Sequence, residues 1–154
     1  MASGDLRNRL AELLPSAIAW AQREAANGAN VGRPLTQPEV GLARRIGVAH
    51  PERVRVAIVS ALPMPDTPAL REAAAQVGMF DPTMAGLTLG HTVFIRRGDE
   101  SVRLLSHELR HVHQYEQGGS IENFLPGYLL QVVHYGYENA PYEQDASAHE
   151  TNVV

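Results

Sequence analysis

Ser101-Val-Arg-Leu-Leu-Ser-His107-Glu108-Leu-Arg-His111-Val-His113-Gln114-Tyr-Glu-Gln117 is the stretch from which the rest of the chain is best read. Gly118-Gly119 closes it, and the spacing predicts one helix over 101–117. At about 100° per residue its side chains fall on three faces. Leu104, Glu108, His111, Gln114 and Tyr115 share the His107 side. Val102, Leu105, Leu109 and Val112 form an apolar stripe opposite, suited to a core. Arg103, Ser106, Arg110 and His113 make a third side, expected to be solvated.

His107-Glu-Leu-Arg-His111 is an HExxH pattern. Imidazoles four residues apart lie about 40° apart around a helix, so both reach one metal ion, with Glu108 beside it to hold a water. His113 lies about 200° round from His111 and is expected on the surface. A catalytic zinc takes a third protein ligand and keeps a fourth position open. The continuation HExxHxxGxxH is absent, because Gln114 and Gln117 stand at its glycine and last histidine. The third ligand is therefore expected from a later helix. Glu143, in Pro141-Tyr-Glu143-Gln-Asp145, is the first candidate; Asp145, His149 and His134 are the alternatives.

Composition agrees with this placement. The 154 residues include no cysteine, which removes disulfides, thiolate metal sites and cysteine nucleophiles. All 13 basic residues are arginine, which excludes Schiff-base chemistry and a phosphate-loop lysine. Residues 108–154 hold one arginine against seven acids, and four of the seven histidines. Imidazole and carboxylate thus concentrate where the metal is expected. The net charge of -4, without a basic stripe, argues against nucleic acid as a partner. No apolar run approaches the ~18 residues that cross a bilayer, and the charged first 15 residues do not form a signal peptide. A soluble protein without a membrane partner is expected, cytoplasmic or exported by a non-classical route.

Residues 5–27 read as an amphipathic helix kinked or divided at Pro15 and stopped by Asn27-Gly28, with Trp20 in the core. Thr36-Gln-Pro-Glu39 fits a capping box for a helix over 37–46 ending at Gly47. Arg53–Val59 suggests a strand, 68–77 a helix, and Leu87–Arg97 a strand pair or one strand interrupted at Gly90. Helices are expected over 121–135, interrupted at Pro126-Gly127, and from Pro141 to about Asn152. This describes one domain over 1–154: a helical part to 50, a small sheet region over 51–100, and metal-binding helices from 101.

Thr88-Leu-Gly-His-Thr-Val-Phe-Ile95, followed by Leu104-Leu-Ser-His-Glu-Leu-Arg-His-Val-His-Gln114, resembles the compact HExxH domain associated with extracellular contractile injection systems. More broadly it is similar to a minimal gluzincin metallopeptidase, and Pro-Tyr-Glu143-x-x-Ala matches what such proteins carry downstream. The close likeness covers about residues 85–117. It implies an α+β fold, mainly helical with a small sheet, with a zincin-like active-site helix backed by later helices. It also implies one zinc ion held by His107, His111 and Glu143, with Glu108 as catalytic base. Ser147 stands four residues after the glutamate, where many gluzincins carry an aspartate. The outer hydrogen bond to a zinc histidine is therefore not supplied, and Asp145 is not expected to replace it.

A zinc metalloendopeptidase acting on a peptide or protein substrate is the expected function. A non-catalytic zinc module docking onto a larger assembly, or a zinc hydrolase of small or cell-wall peptides, are the alternatives. The strand around 87–95 is expected to pair with an extended substrate. Tyr135, Tyr137, Tyr142, His149 and His91 are the candidates for contacting substrate or the oxyanion.

Overall fold

The computed structural model describes residues 2–154, and its order of elements follows the expected α+β plan. Three strands, β1 (Arg55–Val59), β2 (Gly86–Leu89) and β3 (Thr92–Arg96), form one sheet in the order β1-β3-β2. β1 runs parallel to β3 and β2 antiparallel to it, so the sheet is mixed. Six helices accompany it: α1 (Ala2–Val31), α2 (Gln37–Ile46), α3 (Pro68–Gln76), α4 (Val102–Gly118), α5 (Ile121–Tyr135) and α6 (Pro141–Ala148).

Alternation along the strands divides the core between the two faces of the sheet. Ala57, Leu87, Leu89 and Phe94 point to one face, where Trp20 and Ala21 of α1 and Phe124, Leu125 and Val132 of α5 bury them. Val56, Val93 and Ile95 point to the other, against Leu42 and Ile46 of α2 and Leu105, Leu109 and Val112 of α4. The apolar stripe read from the α4 sequence therefore meets the sheet. Only the second strand of the β2–β3 hairpin is central. Leu89-Gly90-His91-Thr92 makes a two-residue turn with Gly90 at φ 66°, so Gly90 ends a strand instead of interrupting one.

Several expected boundaries move for tertiary reasons. α1 is continuous through Pro15, because the carbonyl that Pro15 cannot bond belongs to exposed Ala11 and faces water. It also passes Asn27-Gly28. Gly28 is where the helix crosses β3, and a Cβ there would lie 2.4 Å from the Phe94 ring. α5 runs unbroken through Pro126-Gly127 for the same reason as α1, since the freed carbonyl is that of exposed Glu122. Arg53 ends a short 3-10 turn, Pro51–Arg53, and the strand starts at Arg55. α6 stops at Ala148, short of Asn152, because the chain turns back to α4: Thr151 N–H donates to Ser106 Oγ at 3.0 Å.

That return also corrects the third face of α4. Ser106 is fully buried, and Arg110 donates to Asp145 of α6 and to the carbonyl of Ile46. His113 is half-buried, with Nδ1 donating to Gly47 O at 2.8 Å. Of the four residues expected in solvent, Arg103 alone is exposed. Lower on the helix, Glu116 accepts from the N–H groups of Ala49 and His50 and pairs with His91 Nε2. It ties α4 to the segment after α2 and to the hairpin turn. Among the described residues, no helix is long and apolar enough to cross a membrane.

Candidate metal centre

Ser101 starts α4 by accepting from Leu104 N–H, which puts His107 in the second turn and His111 one turn further. The two rings stand 5.0 Å apart, nearly edge to face, on the side of α4 that meets α6. Glu143, in the first turn of α6, reaches both. Its Oε1 lies 3.2 Å from His107 Nε2 and its Oε2 lies 3.0 Å from His111 Nε2. Ligand atoms from these three residues fall within 4.8 Å of one another, a grouping that could hold a metal ion.

The outward nitrogens are fixed by partners behind them. Gln114 Nε2 donates to Tyr142 O and to Asp145 Oδ2, so its Oε1 is left to accept from His111 Nδ1 at 2.8 Å. His107 Nδ1 lies 2.8 Å from Oε2 of Glu150, which only accepts; Arg103 donates to the other oxygen of that carboxylate. With both Nδ1 atoms donating, each neutral ring presents its Nε2 lone pair toward Glu143. This is the tautomer a metal ligand needs, held by outer hydrogen bonds. Tyr128 adds a hydrogen bond from its hydroxyl to Glu143 Oε2 at 2.6 Å. The donor set therefore fits a metal ion of zinc-like preference: two imidazoles and one carboxylate, with no fourth protein ligand in the group.

Protonation follows from burial and from these charges. Burial would raise the Glu143 carboxyl, but hydrogen bonds from His107, His111 and Tyr128 hold it far below the usual carboxylate range. Burial pulls the His107 imidazolium down, yet the Glu143 hydrogen bond and the nearby carboxylates outweigh it and lift it to about 9. His111 is raised in the same way. Glu108 is only 4% exposed, and burial pushes its carboxyl up despite the opposing pull of the two histidines. Thr88 Oγ1 donates to its Oε1 at 2.8 Å. A Cβ at Gly86 would lie 2.9 Å from its Oε2, so β2 is cut away to make room for this side chain.

Two cavities meet at Glu108. An open cleft of about 360 Å³ is lined by Ser101, Arg103, His107, Glu138 and Glu150. A more enclosed one of about 120 Å³ is almost entirely apolar and has His111 and Glu143 in its wall. Met84, Gly86, Glu108 and Tyr137 line both. β2 borders them as the free edge of the sheet. The Arg96 N–H to Ala85 O bond sets the register, so Leu87 and Leu89 bond to β3 while the backbone groups of Gly86 and Thr88 point away.

Of the residues singled out in the sequence, His107, Glu108, His111 and Glu143 come together, with Tyr137 at the junction of the cavities. Burial and the neighbouring carboxylates Glu143 and Glu108 raise the Tyr137 phenol, so it is a neutral donor. The others lie elsewhere. Asp145 is held by Arg110 and Gln114, His149 Nδ1 donates to Asp145 O, and His134 sits beside Arg7. Tyr142 packs its ring on Phe124 and Tyr128, Tyr135 is half-exposed against His134, and His91 is taken by Glu116. The outer bond that Ser147 does not supply comes from Glu150 for His107 and from Gln114 for His111. Asp145 enters after all, by holding Gln114. Gln114 shares the His107 face in the sequence and could be found there; Glu150, Thr88 and Tyr128 carry no such local signal.

Comparison with family models, with curated proteins and with solved structures returns no match.

Proposed function

We propose that this protein is a zinc-dependent peptidase of the gluzincin kind, with His107, His111 and Glu143 as ligands. The observation that carries the proposal is the pair of Nε2 lone pairs aimed at one buried carboxylate, with Glu108 beside them at the meeting of two cavities. Zinc bound there supplies a Lewis acid that polarises a peptide carbonyl and acidifies a water to near neutrality. Glu108 accepts the water's proton and returns it to the leaving amine, a role suited to a carboxyl raised by burial. Thr88 holds one Glu108 oxygen and leaves the other for the water. The free backbone groups of Gly86 and Thr88 pair with an extended substrate, bringing its carbonyl past Glu108. Tyr137 donates to the oxyanion.

The test is a peptide-mixture digestion with and without chelator, beside the Glu108→Gln variant and a metal analysis. One zinc per chain, chelator-sensitive cutting, and a variant that keeps zinc but loses cutting are expected. A variant that cuts as fast as the parent removes Glu108 as the base. Zinc without cutting of any peptide leaves the non-catalytic module in its place.

A further inference from the structure

The enclosed cavity has no part in binding the metal, and its composition points to what enters it. Leu10 and Leu13 of α1, Leu70 of α3, Leu87 of β2, and Leu129 and Val132 of α5 line it. Its polar groups are those of the metal centre, so a ligand meets leucine and valine on every other side. Apolar cavities of this kind stay dry and take apolar guests, and one of about 150 Å³ holds a benzene ring. At about 120 Å³ this one has room for a branched aliphatic or a single aromatic ring, and none for an indole. A charged side chain would lose its water there without gaining a new partner.

Position decides what the guest belongs to. The cavity meets the open cleft at Glu108, and the free edge of β2 runs past the same point. A peptide paired with Gly86 and Thr88 turns alternate side chains to opposite sides. The residue at Glu108 then has one apolar recess within reach. α1 closes the far side of that recess, where Arg7 joins His134 of α5.

We propose that α1 is a wall of the substrate site, and that Leu10 and Leu13 make the protein select peptides with a compact apolar side chain, of leucine, methionine or phenylalanine size, next to the bond that is cut. This rests on the peptidase reading, and α1 then acts in specificity as well as in the core. Leu10 and Leu13 are specificity-determining residues and take no part in the chemistry.

The experiment has two arms on the full chain loaded with zinc. The first titrates toluene and follows the leucine methyl resonances. Shifts at Leu10, Leu13 and Leu87 are expected, and their loss in Leu13→Trp, which fills the recess. No shifts in the parent overturns the proposal whatever the activity. The second arm compares kcat/KM for one peptide series that varies a single position through Ala, Leu, Phe, Trp and Asp. Leu and Phe are expected to exceed Ala and Asp on the order of 100-fold. Leu13→Trp should cut the Phe-to-Ala ratio at least roughly tenfold, and Leu13→Ala should admit Trp. A flat series, or one unmoved by both α1 variants, overturns the α1 assignment while the peptidase stands. Toluene binding with zinc in place and no peptide cut overturns the peptidase, and the substrate assignment with it.

Discussion

Gln114 determines which nitrogen of His111 faces Glu143. Its amide nitrogen is committed to two acceptors, Tyr142 O and Asp145 Oδ2, so its oxygen takes the Nδ1 proton and leaves Nε2 as a lone pair. Arg110 holds Asp145 in turn with two hydrogen bonds. The tautomer of a ligand on α4 is thus set through a residue of α6. Replacing Gln114 by Leu removes that acceptor while keeping the size. Zinc affinity should fall about 10- to 100-fold, measured by chelator competition, with the helical content unchanged.

Glu150 does the same for His107 from outside any helix. Glu150→Ala should weaken zinc by a similar 10- to 100-fold. Arg103→Ala, which removes the exposed partner of the same carboxylate, should change it far less, because exposed ion pairs contribute roughly 0–1 kcal/mol. Equal losses in the two variants would mean that the ion pair, and not the hydrogen bond to His107, orients the ligand.

Zinc uptake should release protons. His107 is lifted to about 9, so at pH 7 the group carries a proton that the ion displaces, whereas Glu143 is already ionised. Affinity should therefore rise with pH up to about 9 and level off above it, about tenfold per pH unit for each proton displaced. Calorimetry at pH 7 in two buffers of different ionisation heat reads the proton count directly. A count of zero contradicts the protonated histidine.

Gly86→Ala should separate catalysis from metal binding. The added methyl would lie 2.9 Å from Glu108 Oε2, on the side of that carboxylate away from the zinc ligands' outer partners. Displacing the base should lower kcat by about 10²-fold or more, the scale of general-base catalysis, with one zinc retained. Loss of zinc in this variant would mean that β2 also supports the ligands.

Glu116 offers a test of the fold that does not involve the site. Burial would raise its carboxyl, but hydrogen bonds from Ala49 N–H, His91 and His50 N–H hold it below the ordinary value. A depressed carboxyl stabilises the folded chain above the unfolded value and loses that contribution as pH falls through the folded one. Glu116→Ala should cost about 2 kcal/mol in urea unfolding at pH 7, the scale of hydrogen bonds to a charged group. The difference between parent and variant should shrink by pH 3. A gap that stays constant with pH assigns the loss to packing.

What could be read from the sequence was what neighbours along the chain decide. The Thr36–Glu39 capping box, the stop at Gly47, the strand pair around Gly90 and the apolar stripe of α4 all depend on residues within one or two turns. The pairing of His107 with His111 and the place of Glu108 follow from helical periodicity alone. Periodicity also put Gln114 on the right face, though not its task.

The rest required distant parts of the chain to meet. Pro15, Gly28 and Pro126 look like breaks, yet each helix continues, because a freed carbonyl that reaches water is cheap to leave and Gly28 is needed where α1 crosses Phe94. Which of Glu143, Asp145, His149 and His134 joins the two histidines was open until α6 packed against α4. The partners of the ligands, Glu150, Thr88, Tyr128 and Asp145, lie 15 to 43 residues from the groups they serve. A helix repeats every 3.6 residues and so determines the residues that face an ion together. What buries that ion, orients its ligands and shapes the recess beside it comes from other elements, and only packing brings those within hydrogen-bond reach.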